Sequence, residues 1–221
     1  MEGEAMENKY DVKEALTGRK TVTLHAGALN TPDNTVESVK AAIDYGAELL
    51  EIDVSFRPDG TPVMIHKGNP TADEGVLLEE GIEVLATSKT CMVNLDLKST
   101  SNLPAVDALI EKYDLCGRAF YTGVGSDWVE TVKANSKLPY YLNYFASPAD
   151  LRNPESAAKK AVDAGAIGMN CNYHFANKKF VDCMRKNGLL VSLWTVNTKF
   201  AAFRVRRMDP DNTTTRNPGV L

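Results

Sequence analysis

Two acidic residues interrupt an apolar run in the first quarter of the chain, Glu48-Leu49-Leu50-Glu51-Ile52-Asp53-Val54. In a β-strand, successive side chains alternate between two faces, so Glu51 and Asp53 would point the same way. Buried carboxylates this close repel each other and are costly to desolvate, and a cation between them removes both costs. Their hard oxygen ligands suit Mg²⁺ or Ca²⁺. The pair predicts a divalent-metal site; the alternative is an exposed edge strand with two solvated acids.

Other side chains capable of chemistry lie at the ends of further apolar runs. They are His25, His66, Asp96, Lys98, Trp194 and Asn197. They include two of the three histidines in the chain. Their shared position suggests that they converge on one site around the acidic pair.

Each of these residues also has a purely structural interpretation. The histidines could be satisfied core residues, Lys98 a solvated strand end, and Asp96 the cap of a turn. Trp194 could pack at a barrel rim, and Asn197 is expected to cap the following helix. The pattern as a whole favours function for the histidines and acids.

The elements that must position these residues alternate along the chain. Strand-like runs cover residues 21–25, 47–56, 91–97, 118–121, 140–144, 166–169, 189–195 and, more weakly, 212–215. Helical patterns cover residues 35–45, 103–112, 127–135, 155–164 and 178–186, with Asp33 or Asn34 expected to cap the first. Eight alternating units predict an α/β fold, the (β/α)₈ TIM barrel, with chemistry at the carboxyl ends of the strands.

The two ends of the chain deviate from this repeat. Only six residues follow the run at 212–215, so the final helix is expected to be poorly developed. Residues 1–19 form an N-terminal extension in which 10–16 could be a helix covering the barrel floor. No linker or second domain is evident, so residues 1–221 are expected to form a single domain.

Composition narrows the function classes. The net charge of −4 gives no reason to expect nucleic-acid or anionic-membrane binding, and no apolar run could span a bilayer. Met1–Ala5 is acidic and unlike a signal peptide, and four scattered cysteines suggest reduced thiols, so a cytoplasmic location is expected. His174 is interpreted as structural, and the basic run at 204–207 as a solvated helix end.

An ordered set of motifs resembles the glycerophosphodiester phosphodiesterase family. The set comprises His25-Ala26-Gly27, Pro32-Asp33-Asn34-Thr35, Glu51-Ile52-Asp53, Ile65-His66, Asn94-Leu95-Asp96-Leu97-Lys98, Trp194-Thr195-Val196-Asn197 and Thr214-Thr215-Arg216-Asn217-Pro218. They correspond to the family's HRG, PENT, ExD, HD, third-acid, WTVN and TDRP motifs. Each motif is weak by itself, and their order is specific.

The resemblance implies a TIM barrel that cleaves a small phosphodiester with one bound divalent cation. Glu51, Asp53 and Asp96 would hold the cation, and His25 and His66 would act as general base and general acid. The implied substrate-binding residues are Lys98, Lys67 and Trp194. The expected products are an alcohol and a phosphomonoester such as glycerol 3-phosphate.

Five departures from the family pattern bear on this implied activity, the first being that Asp96 stands where the family usually has a longer glutamate. Ala26 replaces the arginine of HRG, Lys67 the aspartate of HD, and Thr215 the aspartate of TDRP, while the inserted segment after HD shrinks to 67–75. Lys67 could restore a positive charge, but as a point charge rather than a planar fork. Two alternatives therefore stay open: a catalytically impaired barrel that binds a phosphorylated ligand, and a phospholipase D-like enzyme that cyclises a headgroup.

Overall fold

Eight parallel strands close into a barrel in the computed structural model, which describes residues 9–221. The ten strands of the described residues are β1 (Thr21–Leu24), β2 (Leu49–Phe56), β3 (Pro62–Met64), β4 (Val76–Leu77), β5 (Met92–Leu97), β6 (Ala119–Val124), β7 (Tyr140–Asn143), β8 (Gly168–Asn172), β9 (Leu190–Trp194) and β10 (Asn212–Thr215). β1 pairs with both β2 and β10 and so closes the sheet. The predicted (β/α)₈ barrel is confirmed.

The short strands β3 and β4 lie outside this repeat. β3 pairs antiparallel with residues 54–56 at the carboxyl end of β2, and β4 pairs antiparallel with β3. This small extension replaces a longer insertion and brings His66, two residues after β3, to the barrel mouth.

Helices follow most barrel strands and cover the outside of the sheet. They are α1 (Val12–Leu16), α2 (Val36–Tyr45), α3 (Leu78–Ala86), α4 (Leu103–Lys112), α5 (Val129–Asn135), α6 (Pro148–Arg152), α7 (Glu155–Asp163), α8 (Lys178–Lys186) and α9 (Lys199–Arg206). α3 and α6 were not assigned from the sequence. After β10 there is only a 3₁₀ turn, Pro218–Val220, so the last helix is indeed poorly developed. In the described part of the chain, no helix has the length and apolar character needed to cross a membrane.

The helix α1 lies against the amino-terminal ends of the strands. Its buried residues Val12 and Leu16 pack in one cluster with the first inward-facing residues of five strands, Leu49, Met92, Phe120, Tyr141 and Leu190. This apolar layer fills the bottom of the barrel, where the sequence suggested a floor helix. The interpretation of Met1–Ala5 falls on residues 1–8, which lie outside the described residues.

Polar side chains fill the barrel above this floor. Asn212 accepts hydrogen bonds from Thr23 and Thr21 and donates one to Ser192, all at 2.9 Å. Asn170 donates to Asn143 at 2.9 Å. Because buried polar groups need partners, this network rigidifies the layer on which the mouth residues stand.

Candidate active site

The acidic pair lies on the inner face of a fully buried central strand. β2 runs between β1 and β5, which excludes the alternative of an exposed edge strand with solvated acids. Asp53 is directly opposite Asp96 in the pairing of β2 with β5. One carboxylate oxygen from each of Glu51, Asp53 and Asp96 lies within 4.8 Å of the others. The parity argument from the sequence therefore gives the correct geometry for these three acids.

The charges of this cluster do not balance by themselves. Lys98 places its ammonium nitrogen 2.9 Å from Asp53 and also contacts Asp96, so three carboxylates share one positive charge. Burial, followed by repulsion from Asp53 and Asp96, raises the pKa of Glu51 well above its ordinary value. Three oxygen donors with two uncompensated negative charges fit a hard divalent cation.

Asn34 holds Asp53 from the opposite side. Its amide donates to Asp53 Oδ2 at 2.7 Å, and its carbonyl oxygen accepts from the Asp53 backbone N–H at 2.9 Å. Asn34 is buried with φ at 57°, a left-handed conformation that asparagine tolerates better than most residues. The expectation that Asp33 or Asn34 caps α2 is wrong, because Thr35 caps the helix by accepting from the Ser38 N–H.

His25 lies just past β1, and one of its two ring nitrogens is already hydrogen-bonded within the protein. Its Nδ1 is 3.0 Å from the Ala26 carbonyl oxygen and 3.4 Å from Glu51 Oε2. A carbonyl only accepts, so Nδ1 carries the proton and Nε2 of the neutral ring can accept one. Burial lowers the pKa of His25, and the hydrogen bond to Ala26 opposes this shift only in part.

The second histidine contacts the other side of the acidic cluster. His66 Nδ1 lies 3.2 Å from Asp53 Oδ2, and its side chain is 79% exposed. A carboxylate oriented toward Nδ1 fixes that proton and directs Nε2 outward. The two histidines thus contact different acids of one cluster.

A cavity of about 220 Å³ joins these residues at the carboxyl ends of the strands. Its lining consists of acids, histidines, amides, hydroxyls and two aromatic rings, namely His25, Glu51, Asp53, His66, Asn94, Asp96, Lys98, Thr122, Asn143, Phe145, Asn170, Trp194, Thr195 and Thr214. Among the described residues, the two buried side-chain polar atoms without a hydrogen-bond partner are Asn170 Oδ1 and Trp194 Nε1. Both belong to the lining, where a ligand could satisfy them.

Comparisons with known proteins agree with this geometry. Residues 25–74 match the profile of the glycerophosphoryl diester phosphodiesterase family. YhdW of Bacillus subtilis (strain 168), provisionally assigned as a glycerophosphodiester phosphodiesterase, is 20% identical over 90% of this chain and 96% of its own. Residues 25–74 thus resemble the glycerophosphodiester phosphodiesterase family, and the similarity to YhdW extends over most of the chain.

Solved structures of this family share the fold. A provisionally assigned member from Silicibacter pomeroyi aligns with a TM-score of 0.79 at 20% identity, over 97% of this chain and 96% of its own. An Oleispira antarctica phosphodiesterase, solved with the product sn-glycerol-3-phosphate, gives a TM-score of 0.75 at 20% identity, over 92% and 96%. The inward-facing site residues therefore stand on a barrel frame common to the family.

The family's missing arginine is not replaced by Lys67. The Lys67 ammonium lies 2.6 Å from Glu74, is half exposed, and is not part of the cavity lining. Its assignment to substrate binding stays a prediction. The contribution of Ala26 to the site comes from its backbone N–H, which donates a hydrogen bond to Glu51 Oε2 at 2.9 Å.

The residues of the degraded TDRP motif form a support beside the mouth. Arg216 makes two hydrogen bonds to Asp33, at 2.6 and 2.7 Å. Asn197 accepts from the Arg216 backbone N–H at 2.8 Å, so its expected role as a helix cap is wrong; Thr198 caps α9. Gly27 has φ at 72°, and a Cβ there would overlap Asp33, which explains the glycine.

Proposed function

We propose that the protein is a metal-dependent phosphodiesterase that hydrolyses a glycerophosphodiester, or a related small phosphodiester, to an alcohol and a phosphomonoester. The supporting observation is the convergence of three acids, Lys98 and two histidines on one cavity at the carboxyl ends of the strands. The product sn-glycerol-3-phosphate bound by the Oleispira antarctica relative supports this substrate class.

In this proposal Glu51, Asp53 and Asp96 hold one divalent cation, Mg²⁺ or Ca²⁺. The cation would neutralise phosphate oxygens and orient the nucleophile. Lys98, at the same end of the cavity, binds a phosphate oxygen that gains negative charge in the transition state. Asn34 keeps Asp53 in position through its two hydrogen bonds.

The histidines divide the proton transfers between them. His25 accepts the proton of the nucleophile at Nε2, because its Nδ1 proton is held by Ala26 and Glu51. His66 donates a proton to the departing alkoxide from the exposed side of the cluster. Each such transfer contributes roughly 10²–10⁴-fold to the rate. The nucleophile is either water or a hydroxyl of the substrate, and the latter gives a cyclic phosphate first.

The substrate alcohol lies against the aromatic side of the cavity. Trp194 and Phe145 meet edge to face there, with ring centroids 6.3 Å apart. The unpartnered Trp194 Nε1 offers a hydrogen bond to a substrate oxygen. Trp194 is therefore a substrate-binding residue in this proposal.

Turnover of glycerophosphocholine and glycerophosphoethanolamine, with and without Mg²⁺ or Ca²⁺, tests the function. The matched variants are His25→Ala, inside the cavity, and His174→Ala, an exposed histidine outside its lining. We expect metal-dependent turnover that His25→Ala abolishes and His174→Ala leaves unchanged. Bound metal without turnover across a panel of diesters would favour a catalytically impaired, ligand-binding barrel. A cyclic phosphate as the final product would favour the headgroup-cyclising alternative.

A further inference from the structure

Exposed phenylalanines surround one side of the cavity mouth. Phe145 follows β7, Phe175 follows β8, and Phe200 lies in the first turn of α9 after β9. Their exposed fractions are 68%, 46% and 81%, and Phe203, one turn further along α9, is 60% exposed. We call these four residues the aromatic rim. Because the carboxyl ends of parallel strands share one face of a barrel, Phe145, Phe175 and Phe200 project from the side on which the cavity opens, and Phe203 continues this surface along α9.

The rim is continuous with the cavity lining. Phe145 meets Trp194 at 6.3 Å and Phe175 at 6.4 Å between ring centroids, in both cases edge to face. A groove lined by Ala176, Phe200 and Phe203 extends the surface from the segment of Phe175 to α9. A contiguous group of exposed aromatic rings of this kind indicates a surface that contacts a membrane or a partner.

Positive charge is concentrated in the same part of the chain. Residues 173–207 carry a net charge of +7 in a chain whose total is −4, and three of their basic residues, Lys178, Arg204 and Arg207, line the groove beside Phe200 and Phe203. The net charge of the whole chain, −4, gives no reason to expect membrane binding, but it does not show that the positive residues are separated from the negative ones along the chain. Lys199, Arg204 and Arg207 form no ion pair within residues 9–221. The Arg207 guanidinium instead lies 5.7 Å from the Phe203 ring centroid.

We propose that the aromatic rim and the basic side chains beside it dock the barrel on the surface of an anionic phospholipid bilayer. Phenylalanine rings enter the headgroup boundary, and lysine and arginine contact the anionic lipids around them. Each basic residue near such a surface strengthens binding roughly fivefold. A bilayer fits better than a nucleic acid, because the rim exposes four phenylalanine rings, which a headgroup boundary can bury.

This docking would direct the cavity toward lipid headgroups. The part of the proposal that concerns substrate rests on the phosphodiesterase function proposed above: the diester would be a lysophospholipid in the membrane plane, with its headgroup in the cavity. The docking itself does not depend on catalysis. Binding to vesicles and turnover of soluble glycerophosphocholine therefore report on the two proposals separately.

Co-sedimentation of the full chain with vesicles tests the docking. The vesicles are pure phosphatidylcholine or contain 30% phosphatidylglycerol. The rim variant is Phe200→Ser/Phe203→Ser, and the control is Tyr45→Ser, which removes an aromatic ring that is 57% exposed at the end of α2. We expect binding only to anionic vesicles, a decrease of tenfold or more in the rim variant, no change in the control, and loss of binding at high salt.

Three results would overturn the docking. One is that the wild type and the rim variant bind anionic vesicles equally, while their near-ultraviolet circular dichroism spectra agree and so show that the variant is folded. Another is a dimer by light scattering that the rim variant dissociates, which would assign the rim to a second copy of the chain. The third is tighter binding to a single-stranded oligonucleotide than to anionic vesicles. Turnover of soluble glycerophosphocholine that the rim variant retains, together with lost vesicle binding, would support both proposals.

Discussion

Lys98 places its ammonium nitrogen 2.9 Å from Asp53 Oδ1 while also contacting Asp96 on the neighbouring strand. The lysine side chain is only 18% exposed, so its hydrocarbon stem is buried against the barrel mouth. Burial disfavours the ammonium form, but the two carboxylates outweigh this effect and raise the pKa of Lys98. Lys98 therefore stays charged over the whole working range of pH and neutralises one of three carboxylates in the cluster.

We predict that Lys98→Met separates metal binding from catalysis. Methionine keeps the volume of the stem but removes a cation that competes with the metal for Asp53 and Asp96. The affinity for Mg²⁺ or Ca²⁺, measured by calorimetry, should be unchanged or higher. Turnover should fall by about 10²-fold or more, since a charge that stabilises the phosphate in the transition state is lost.

Two comparisons make this prediction specific. Lys98→Arg keeps the charge and should retain more activity than Lys98→Met, although the guanidinium geometry differs. Lys137→Met, which removes an exposed lysine paired with Glu111, should leave turnover unchanged. Full activity in Lys98→Met would show that the lysine only balances the charge of the acids.

Asn34→Ala should weaken the site without removing any metal ligand. The substitution deletes both hydrogen bonds that hold Asp53 and places alanine in a left-handed backbone conformation. Loss of a residue that orients a ligand lowers metal affinity or activity by roughly 10–100-fold. Asn135→Ala, at an exposed asparagine at the end of α5, is the control for the asparagine-to-alanine change. Equal metal affinity and turnover in the wild type and Asn34→Ala would contradict the positioning role.

Glu51→Gln tests the ligand assignment directly. Glutamine keeps the shape and one acceptor oxygen for the Ala26 N–H but removes the negative charge. Calorimetry should show metal affinity lowered by at least tenfold, since affinity follows the number of charged ligands. Glu130→Gln, whose side chain is 86% exposed on α5, makes the same chemical change away from the site. Unchanged affinity in Glu51→Gln would mean that the cation binds elsewhere.

The barrel and the cluster of three acids could be predicted because they depend on local periodicity. Alternation along β2 places Glu51 and Asp53 on one face, and the repeat of strands and helices places their carboxyl ends together. These features need no knowledge of distant contacts. The ordered set of family motifs identifies the same residues and implies a role for each of them.

The supports of the site were not predictable in the same way. Asn34 was interpreted as a helix cap because asparagine is common there, whereas its partner, Asp53, is 19 residues away. Asn197 was assigned to a cap for the same reason and instead contacts the end of β10. A side chain that can satisfy a local or a distant backbone group leaves no local signal of which one it uses. Lys67 forms an ion pair with Glu74 in its own loop, and a count of charges in the sequence does not show which partner it takes.

The pair formed by Arg216 and Asp33 should give a small, pH-dependent contribution to stability. Hydrogen bonds from Arg216 lower the pKa of Asp33, so their contribution is present above the unfolded pKa of about 3.9 and is lost as pH falls through the lower folded value. Arg216→Gln should lower the free energy of unfolding by less than about 1 kcal/mol at pH 7, because the pair is half exposed. Urea unfolding at pH 7 and in mild acid measures the difference.

A weaker ion pair of similar exposure provides the comparison. Arg19 makes one hydrogen bond to Glu48 at 3.1 Å, so Arg19→Gln should cost less than Arg216→Gln. The two variants should converge on the wild type in acid. A deficit in Arg216→Gln that persists at low pH would show that the guanidinium stabilises the end of β10 by packing rather than by its charge.

The four cysteines should be almost inert in the native protein. All are free and buried, as their scattered positions in the sequence suggested. Burial raises the pKa of Cys91 to about 11 and that of Cys171 to about 12. At pH 8 the thiolate, which is the reactive form, is therefore roughly a thousandth or less of these two thiols. Reaction of the native chain with an aromatic disulfide reagent should be at least 100-fold slower than in 8 M urea, where four equivalents should react. Fast native labelling of Cys91 or Cys171, located by mass spectrometry, would mean that the barrel opens far more readily than its packing indicates.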